Sequence, residues 1–224
     1  MDIQPILTSN LFSDLSKTLA AGLIFGTKYP FEALLKIKEL FYELVGGLDM
    51  EKFERVGESV YISKSAKVNK NAYIGDFTII DEGAEIRQCA YIRGNSIIGK
   101  GCVVGNSSEI KNSILFDKAQ VPHFNYVGDS ILGYGVHLGA GAITSNLKSD
   151  RTNVKIAVGQ AKIDTGLRKM GAIIGDLCEI GCNTVLNPGT VIGRETTVYP
   201  LSIVRGYVPG GSIFKTPTNI VKKK

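Results

Sequence analysis

Histidine is scarce in this chain, with only two, His123 and His137, among 224 residues. One chain therefore cannot by itself supply a zinc ion with three imidazoles. Cysteine is sparse too: the four are Cys89, Cys102, Cys178 and Cys182. Cys178 and Cys182 are spaced C-x3-C, but no second cysteine or histidine pair stands near them, so the four are read as reduced packing thiols and no catalytic metal is expected. No apolar run approaches membrane-spanning length, and the opening MDIQPILTSNLFSDLSK lacks a basic segment followed by an apolar core. Those two absences predict a soluble, cytoplasmic protein without a membrane partner. A block of one charge is missing as well. The net +5 is spread along the chain, and only Lys222–Lys223–Lys224 forms a run, read as a solvated tail. Such a balance suits small phosphorylated ligands and gives no argument for nucleic acid.

What the chain does have is a period of six. Stepping by six from Ile62 meets Val68, Ile74, Ile80, Ile86, Ile92, Ile98, Val104 and Ile110 without a miss. Small residues follow most of them four positions later, as at Ala66, Ala72, Ala84 and Ala90, and glycine often follows directly, as at Gly75, Gly99 and Gly105. Hexads of this kind predict a parallel β-helix in which three short strands and three corners make one triangular coil. The aliphatic points to the axis, and burying it contributes roughly 1.5–3 kcal/mol. The frame slips by one at Leu115, Val121 and Val127, slips again at Leu132 and Leu138, and returns from Ile174 through Val204. The slips place "VPHFNYVGDS" (121–130), with His123, in a departure from the repeat.

Three segments fall outside the hexads. Residues 1–55 form an N-terminal helical segment, with helices expected over 10–21 and 30–45. Phe31, Leu34, Leu35, Phe41 and Leu44 make an apolar stripe that needs a surface, either the open first coil or a neighbouring subunit. The β-helix runs over 56–210, with a loop inserted at about 145–171, and 211–224 is a C-terminal tail. The inserted loop carries Lys148, Arg151, Lys155, Lys162, Arg168 and Lys169, which suit an anionic ligand or a solvated surface.

Five stretches are more specific than the hexads: "YIRGN" (91–95), "VVGNSSEIKNS" (103–113), "PHFNYVGDSILG" (122–133), "LGAGAITSNLKSD" (138–150) and "DTGLRKMGAIIGD" (164–176). On these the chain, from about Ile62 to Pro217, resembles the left-handed β-helix acyltransferases. It looks most similar to the acetyltransferase half of bifunctional UDP-N-acetylglucosamine pyrophosphorylase/glucosamine-1-phosphate N-acetyltransferases and the archaeal-type sugar-1-phosphate enzymes. The resemblance implies an all-β, single-stranded left-handed prism that works as a homotrimer. It implies an acetyl-CoA-dependent enzyme of nucleotide-sugar biosynthesis whose acceptor is an amino sugar phosphate.

It also implies roles. Arg93 holds the sugar phosphate, since a guanidinium fork matches phosphate oxygens, with Lys111 assisting as a point charge. His123 takes a proton from the sugar ammonium, a task suited to imidazole because its unperturbed pKa is about 6.5. Tyr126 binds the sugar or the phosphate with its hydroxyl, and Asn146 contacts the sugar. Backbone N–H groups around Gly139–Ala140–Gly141 are candidates for the developing oxyanion. Ala140, Cys182 and Lys215 are implied acetyl-CoA contacts, the last two replacing a serine and an arginine of the bacterial enzymes.

Departures lie at the sugar end. His137, in a substrate-binding position, replaces an asparagine, and Thr152 stands where a lysine is usual. The glycine-rich nucleotidyltransferase signature is absent, so pyrophosphorylase chemistry is not expected here, although a separate nucleotidyltransferase is a possible partner. The γ-class carbonic anhydrases share the fold but need three imidazoles. The alternative from another class is a non-catalytic module that binds sugar phosphates or nucleotide sugars.

Overall fold

The computed structural model describes residues 3–223, so Lys224 of the terminal lysine run lies outside the described residues. From Val60 onward the chain winds as a left-handed parallel β-helix with three faces. The first face stacks Val60–Ser63, Thr78–Ile80, the later half of Tyr91–Ile98, the later half of Glu109–Leu115, Ile131–Leu132, Ala172–Ile174, Thr190–Ile192 and Tyr207–Val208. The second stacks Tyr73–Ile74, the start of Tyr91–Ile98, the start of Glu109–Leu115, Tyr126–Gly128, Ile143–Thr144, Val185–Leu186 and Ile203–Val204. The third runs from Lys67–Val68 through Gln120–His123 and His137–Leu138 to Ser212–Thr216. Every pairing between coils is parallel, because each strand meets its equivalent one coil later.

The hexad aliphatics form the axial core as expected, from Ile80 and Ile86 through Val198 and Val204. Val68 is the exception at 38% exposed, because it belongs to the first coil, whose end is open. The N-terminal helices do not close that end. They lie instead along the first face, for a reason visible in the strands themselves. There the axial residue is preceded by a second apolar one: Ile79, Ile97, Ile114, Ile131, Ile173 and Val191. Successive strand residues point to opposite sides, so this second ladder faces outward and must be covered. Leu11, Phe12, Ile24, Phe31, Leu34, Ile37 and Phe41 bury it. Asp176 pins the cover, accepting from the Ser13 N–H and hydroxyl at 2.7 Å each.

The pattern over 30–45 forms a 3-10 turn, Pro30–Lys36, followed by the α-helix Ile37–Val45. The single helix expected over 10–21 is instead divided into Thr8–Leu11, Leu15–Lys17 and Ala21–Phe25. Asp14 and Thr18 explain the division: their side chains capture the N–H groups of Ser16 and Ala20 and so compete with helical bonding. The outer ladder makes a direct stability prediction. Ile114→Ala destabilises the fold by about 2–5 kcal/mol in denaturant unfolding, whereas Leu35→Ala, at a residue 70% exposed, leaves it within about 0.5 kcal/mol.

The inserted loop is only partly a loop. Lys155–Val158 and Ala161–Asp164 form an antiparallel hairpin, and Val154, Ile156, Leu167 and Met170 dock on the first-face cluster. Lys155, Lys162, Arg168 and Lys169 are thus exposed on a packed flap and do not form a free basic strap. In the segment read as a tail, Ser212–Thr216 is the last strand of the third face, and Asn219–Lys222 pairs antiparallel with it and covers its edge.

Candidate functional site

The frame slips have a definite location. Only five residues separate Ile110 from Leu115 and Val127 from Leu132, so the shortened corners are those carrying Lys111–Asn112 and Gly128–Asp129, between the second and first faces. His123 is not in a slip, since Leu115, Val121 and Val127 keep the six-residue step. The short corners set successive coils 17 residues apart, which stacks Asn95, Asn112, Asp129 and Asn146 as rungs of one column.

Four of the expected site residues meet on this corner. The Arg93 guanidinium donates to Glu109 at 2.8 Å, which raises its pKa and holds it charged. Lys111 Nζ lies 3.0 Å from both oxygens of Asp129. Asn146 Nδ2 donates to Tyr126 Oη at 3.1 Å and also to Asp129. Burial, followed by the charges of Asp129 and Glu109, pushes the Tyr126 pKa up, so its hydroxyl stays protonated. Gly128 makes room for that ring: a Cβ there would sit 2.4 Å from Tyr126 Oη. A cavity of about 490 Å³ opens beside the corner, lined by Tyr73, Asp76, Arg93, Asn95, Lys111 and Asn112 among others.

Sequence reasoning missed Glu109 and Asp129. Asp129 is only 4% exposed and joins the column, accepting from Asn112 Nδ2 at 2.8 Å besides Lys111 and Asn146. The signal that could have found it is the 17-residue recurrence of Asn and Asp.

His123 ends the strand Gln120–His123 at the other edge of the second face, exposed to solvent. Among the described residues no hydrogen bond engages its imidazole, and its backbone N–H donates to Asn125 Oδ1 at 3.0 Å. Asn125, another residue the sequence did not single out, is buried and pins this corner by donating to the carbonyls of Gly139 at 2.7 Å and Ala142 at 3.2 Å. Lys111 is in register with Gly128, five residues beyond His123, so His123 and the Arg93–Lys111 group are separated by about one face, on the order of 15 Å. Phe124, 63% exposed, stands next to the histidine.

The remaining expected residues lie C-terminal to His123. Ala140 follows it at the same corner, and Cys182 is on the next coil, where Asn183 N–H donates to the Ala140 carbonyl at 2.8 Å. Lys215, with Nζ 5.7 Å from the Tyr199 ring centre, is at the C-terminal end of that row. His137 is not brought together with Arg93 and Lys111. It lies on the third face, its Nδ1 2.9 Å from Glu179 Oε2. Thr152 bonds Lys148 and Asp150 within the start of the inserted loop. Two of the three proposed oxyanion donors are already engaged, Gly139 N–H by Ile180 O at 2.7 Å and Gly141 N–H by His123 O at 3.0 Å. Only Ala140 N–H is left without such a partner among the described residues. The cysteines are unpaired, and burial pushes the Cys178 thiol up to about 12. Among the described residues no group of three or more His, Cys, Asp or Glu is arranged to hold a metal, and no helix is long and apolar enough to cross a membrane.

Residues 77–163 match the family model described as the GMPPB C-terminal domain. The chain is 38% identical over 109 residues to a bifunctional sugar-1-phosphate nucleotidylyltransferase/acetyltransferase from Sulfurisphaera tokodaii, covering 49% of this chain and 27% of that protein. It is 36% identical over 120 residues to the bifunctional protein GlmU of Methanococcus maripaludis, covering 53% of this chain and 29% of that protein. The similarity is to the acetyltransferase region of these bifunctional proteins. The chain spans well under two thirds of their length. A solved structure, the acetyltransferase domain of PglB from Neisseria gonorrhoeae, shares 18% identity with a TM-score of 0.34, covering 72% of this chain and 56% of that one.

Proposed function

We propose that the chain is an acetyl-CoA-dependent N-acetyltransferase of the cytoplasm acting on an amino sugar phosphate such as glucosamine-1-phosphate, in the synthesis of nucleotide sugars of the UDP-N-acetylglucosamine type. These residues would carry the acetyl transfer. The observation that carries this reading is the convergence of Arg93, Lys111, Tyr126 and Asn146 on one edge of the second face, with His123 at the other. A phosphate fits the first edge, where a guanidinium and an ammonium stand one coil apart. The amine then reaches toward His123.

In the reaction the amine nitrogen attacks the thioester carbonyl carbon and His123 accepts the proton that nitrogen loses. The carbon–sulfur bond breaks, and the departing sulfur takes a proton from His123. Tyr126 supports acceptor binding as a hydrogen-bond donor: its oxygen already accepts from Asn146, which leaves its own O–H for the ligand. Ala140 N–H is the available donor to the carbonyl oxygen as charge develops there. Ala140, Cys182 and Lys215 define the path of acetyl-CoA along the corner, with the Lys215 ammonium suited to a phosphate of that donor.

The exposed apolar second face, with Tyr73, Tyr91, Ile143 and Ile203 outward, supports assembly as a homotrimer in which a neighbour closes the cleft. His137, on the third face, would then contact substrate held against the neighbouring copy. One row of donor contacts is directly testable. In the native protein thiol reagents label the exposed Cys89 and Cys182 and spare the buried Cys102 and Cys178, and acetyl-CoA slows labelling of Cys182 while leaving Cys89 unchanged.

The test of function is release of free thiol from acetyl-CoA with a panel of amino sugar 1-phosphates. Turnover with at least one supports the enzyme. Binding of sugar phosphates or nucleotide sugars without release by any acceptor supports the binding-module alternative.

A further inference from the structure

Asp129 is a carboxylate with no hydrogen to donate, and it stands at the one place in the column where that matters. It accepts from three donors on neighbouring rungs: Lys111, Asn112 and Asn146. Each amide must therefore turn its NH2 toward Asp129. Asn112 consequently presents Oδ1 to Asn95, whose Nδ2 donates to it. That direction leaves Asn95 Oδ1 buried without a partner, and reversing the Asn95 amide would set two carbonyl oxygens against each other. On the other side, Asn146 is held with Nδ2 shared between Asp129 and Tyr126. Its Oδ1 has no hydrogen bond among the described residues and remains an acceptor for a sugar hydroxyl or ammonium, while Tyr126 is left as a donor. The same carboxylate holds the Lys111 ammonium in place through both oxygens.

We infer that Asp129 is a positioning residue: it fixes which way the Asn146 amide, the Tyr126 hydroxyl and the Lys111 ammonium face the acceptor. The inference rests on reading this corner as the acceptor site. It assigns a role in acceptor recognition to a buried residue, and it makes the direction of the amide column a determinant of specificity.

Asp129→Asn separates direction from bulk, because the amide keeps the shape but adds a donor. The probe is glucosamine-1-phosphate by calorimetry, with acetyl-CoA as the reference ligand. The expected result is a fall of roughly 10–100-fold in glucosamine-1-phosphate affinity and in kcat/KM through KM, since several charge-assisted bonds are lost together. Acetyl-CoA affinity stays within about 2-fold. The exchange variant Asp129→Asn/Asn112→Asp restores the net charge but moves the acceptor-only rung, so it does not restore affinity. A crystal structure of Asp129→Asn shows the Asn146 amide turned away from Tyr126 or Lys111 displaced. Unchanged acceptor affinity in a folded variant, full recovery by the exchange, or an unmoved Asn146 and Lys111 would each overturn the proposal. If the wild-type protein binds no amino sugar phosphate, the acceptor-site reading fails, and the crystal structure alone then decides whether Asp129 orients the column.

Discussion

Replacing His123 with alanine lowers acetyl transfer roughly 10²–10⁴-fold, the usual contribution of a positioned general base. The nearby carboxylates cannot take over. Glu109 is committed to Arg93, and Asp129, on the far edge of the second face, to Lys111, Asn112 and Asn146. The imidazole is exposed and its turn is held by the Asn125 side chain, so its loss leaves the fold intact. Melting temperature therefore stays within a degree or two, and binding of the acceptor phosphate changes little. Steady-state kinetics check this: the fall belongs in kcat, with both KM values near wild type. A variant retaining more than a tenth of the activity would remove His123 from the chemistry.

Replacing Arg93 with alanine has the second largest effect, and its signature is different. Removing a guanidinium–phosphate contact is worth roughly 1.5–3 kcal/mol, or about 10–150-fold in kcat/KM. The effect falls at the upper end because Arg93 also neutralises Glu109, and the variant would leave that carboxylate facing the phosphate. The loss is expected in KM for the acceptor, with KM for acetyl-CoA unchanged. Arg93→Ala/Glu109→Gln should recover part of it. Arg93→Lys keeps charge without the fork and is expected between the two. An Arg93→Ala enzyme with normal acceptor KM would place the phosphate elsewhere.

The hexad made the axial core readable, since a strictly repeated aliphatic has one physical use in a coil of this size. The outer ladder was just as visible, as paired apolar residues such as Ile79–Ile80 and Ile97–Ile98, but it recurs once per coil and is lost in a six-residue frame. Without it the helical segment had no evident surface, and the open first coil was the natural place to expect it. The divided first helix depended on side-chain competition at Asp14 and Thr18, which apolar periodicity does not register.

At the candidate site, the cationic and aromatic residues were legible from local motifs, whereas their partners were not. Glu109 and Asp129 become neighbours of Arg93 and Lys111 only through stacking of successive coils, and for Asp129 that register depends on the corner at Lys111–Asn112, which is short by one residue. His123 was read as lying in a slip, yet its own step is regular and the nearest shortened corner, Gly128–Asp129, is one face further along, because a frame shift is counted at the next aliphatic and not at the corner that causes it. The oxyanion candidates were narrowed to Ala140 for a similar reason: coil-to-coil hydrogen bonds occupy the N–H groups of Gly139 and Gly141.

In the proposed function the second face joins an amino sugar phosphate at one edge to an acetyl donor and a base at the other. Mass spectrometry of the product tests it most directly, with acetyl-CoA and the amino sugar phosphate that best releases thiol, using wild type and His123→Ala side by side. The expected product is an acceptor heavier by one acetyl group on its nitrogen, formed one-for-one with free CoA and nearly abolished in the variant. Thiol release without an N-acetylated product, or equal product from both proteins, would contradict it.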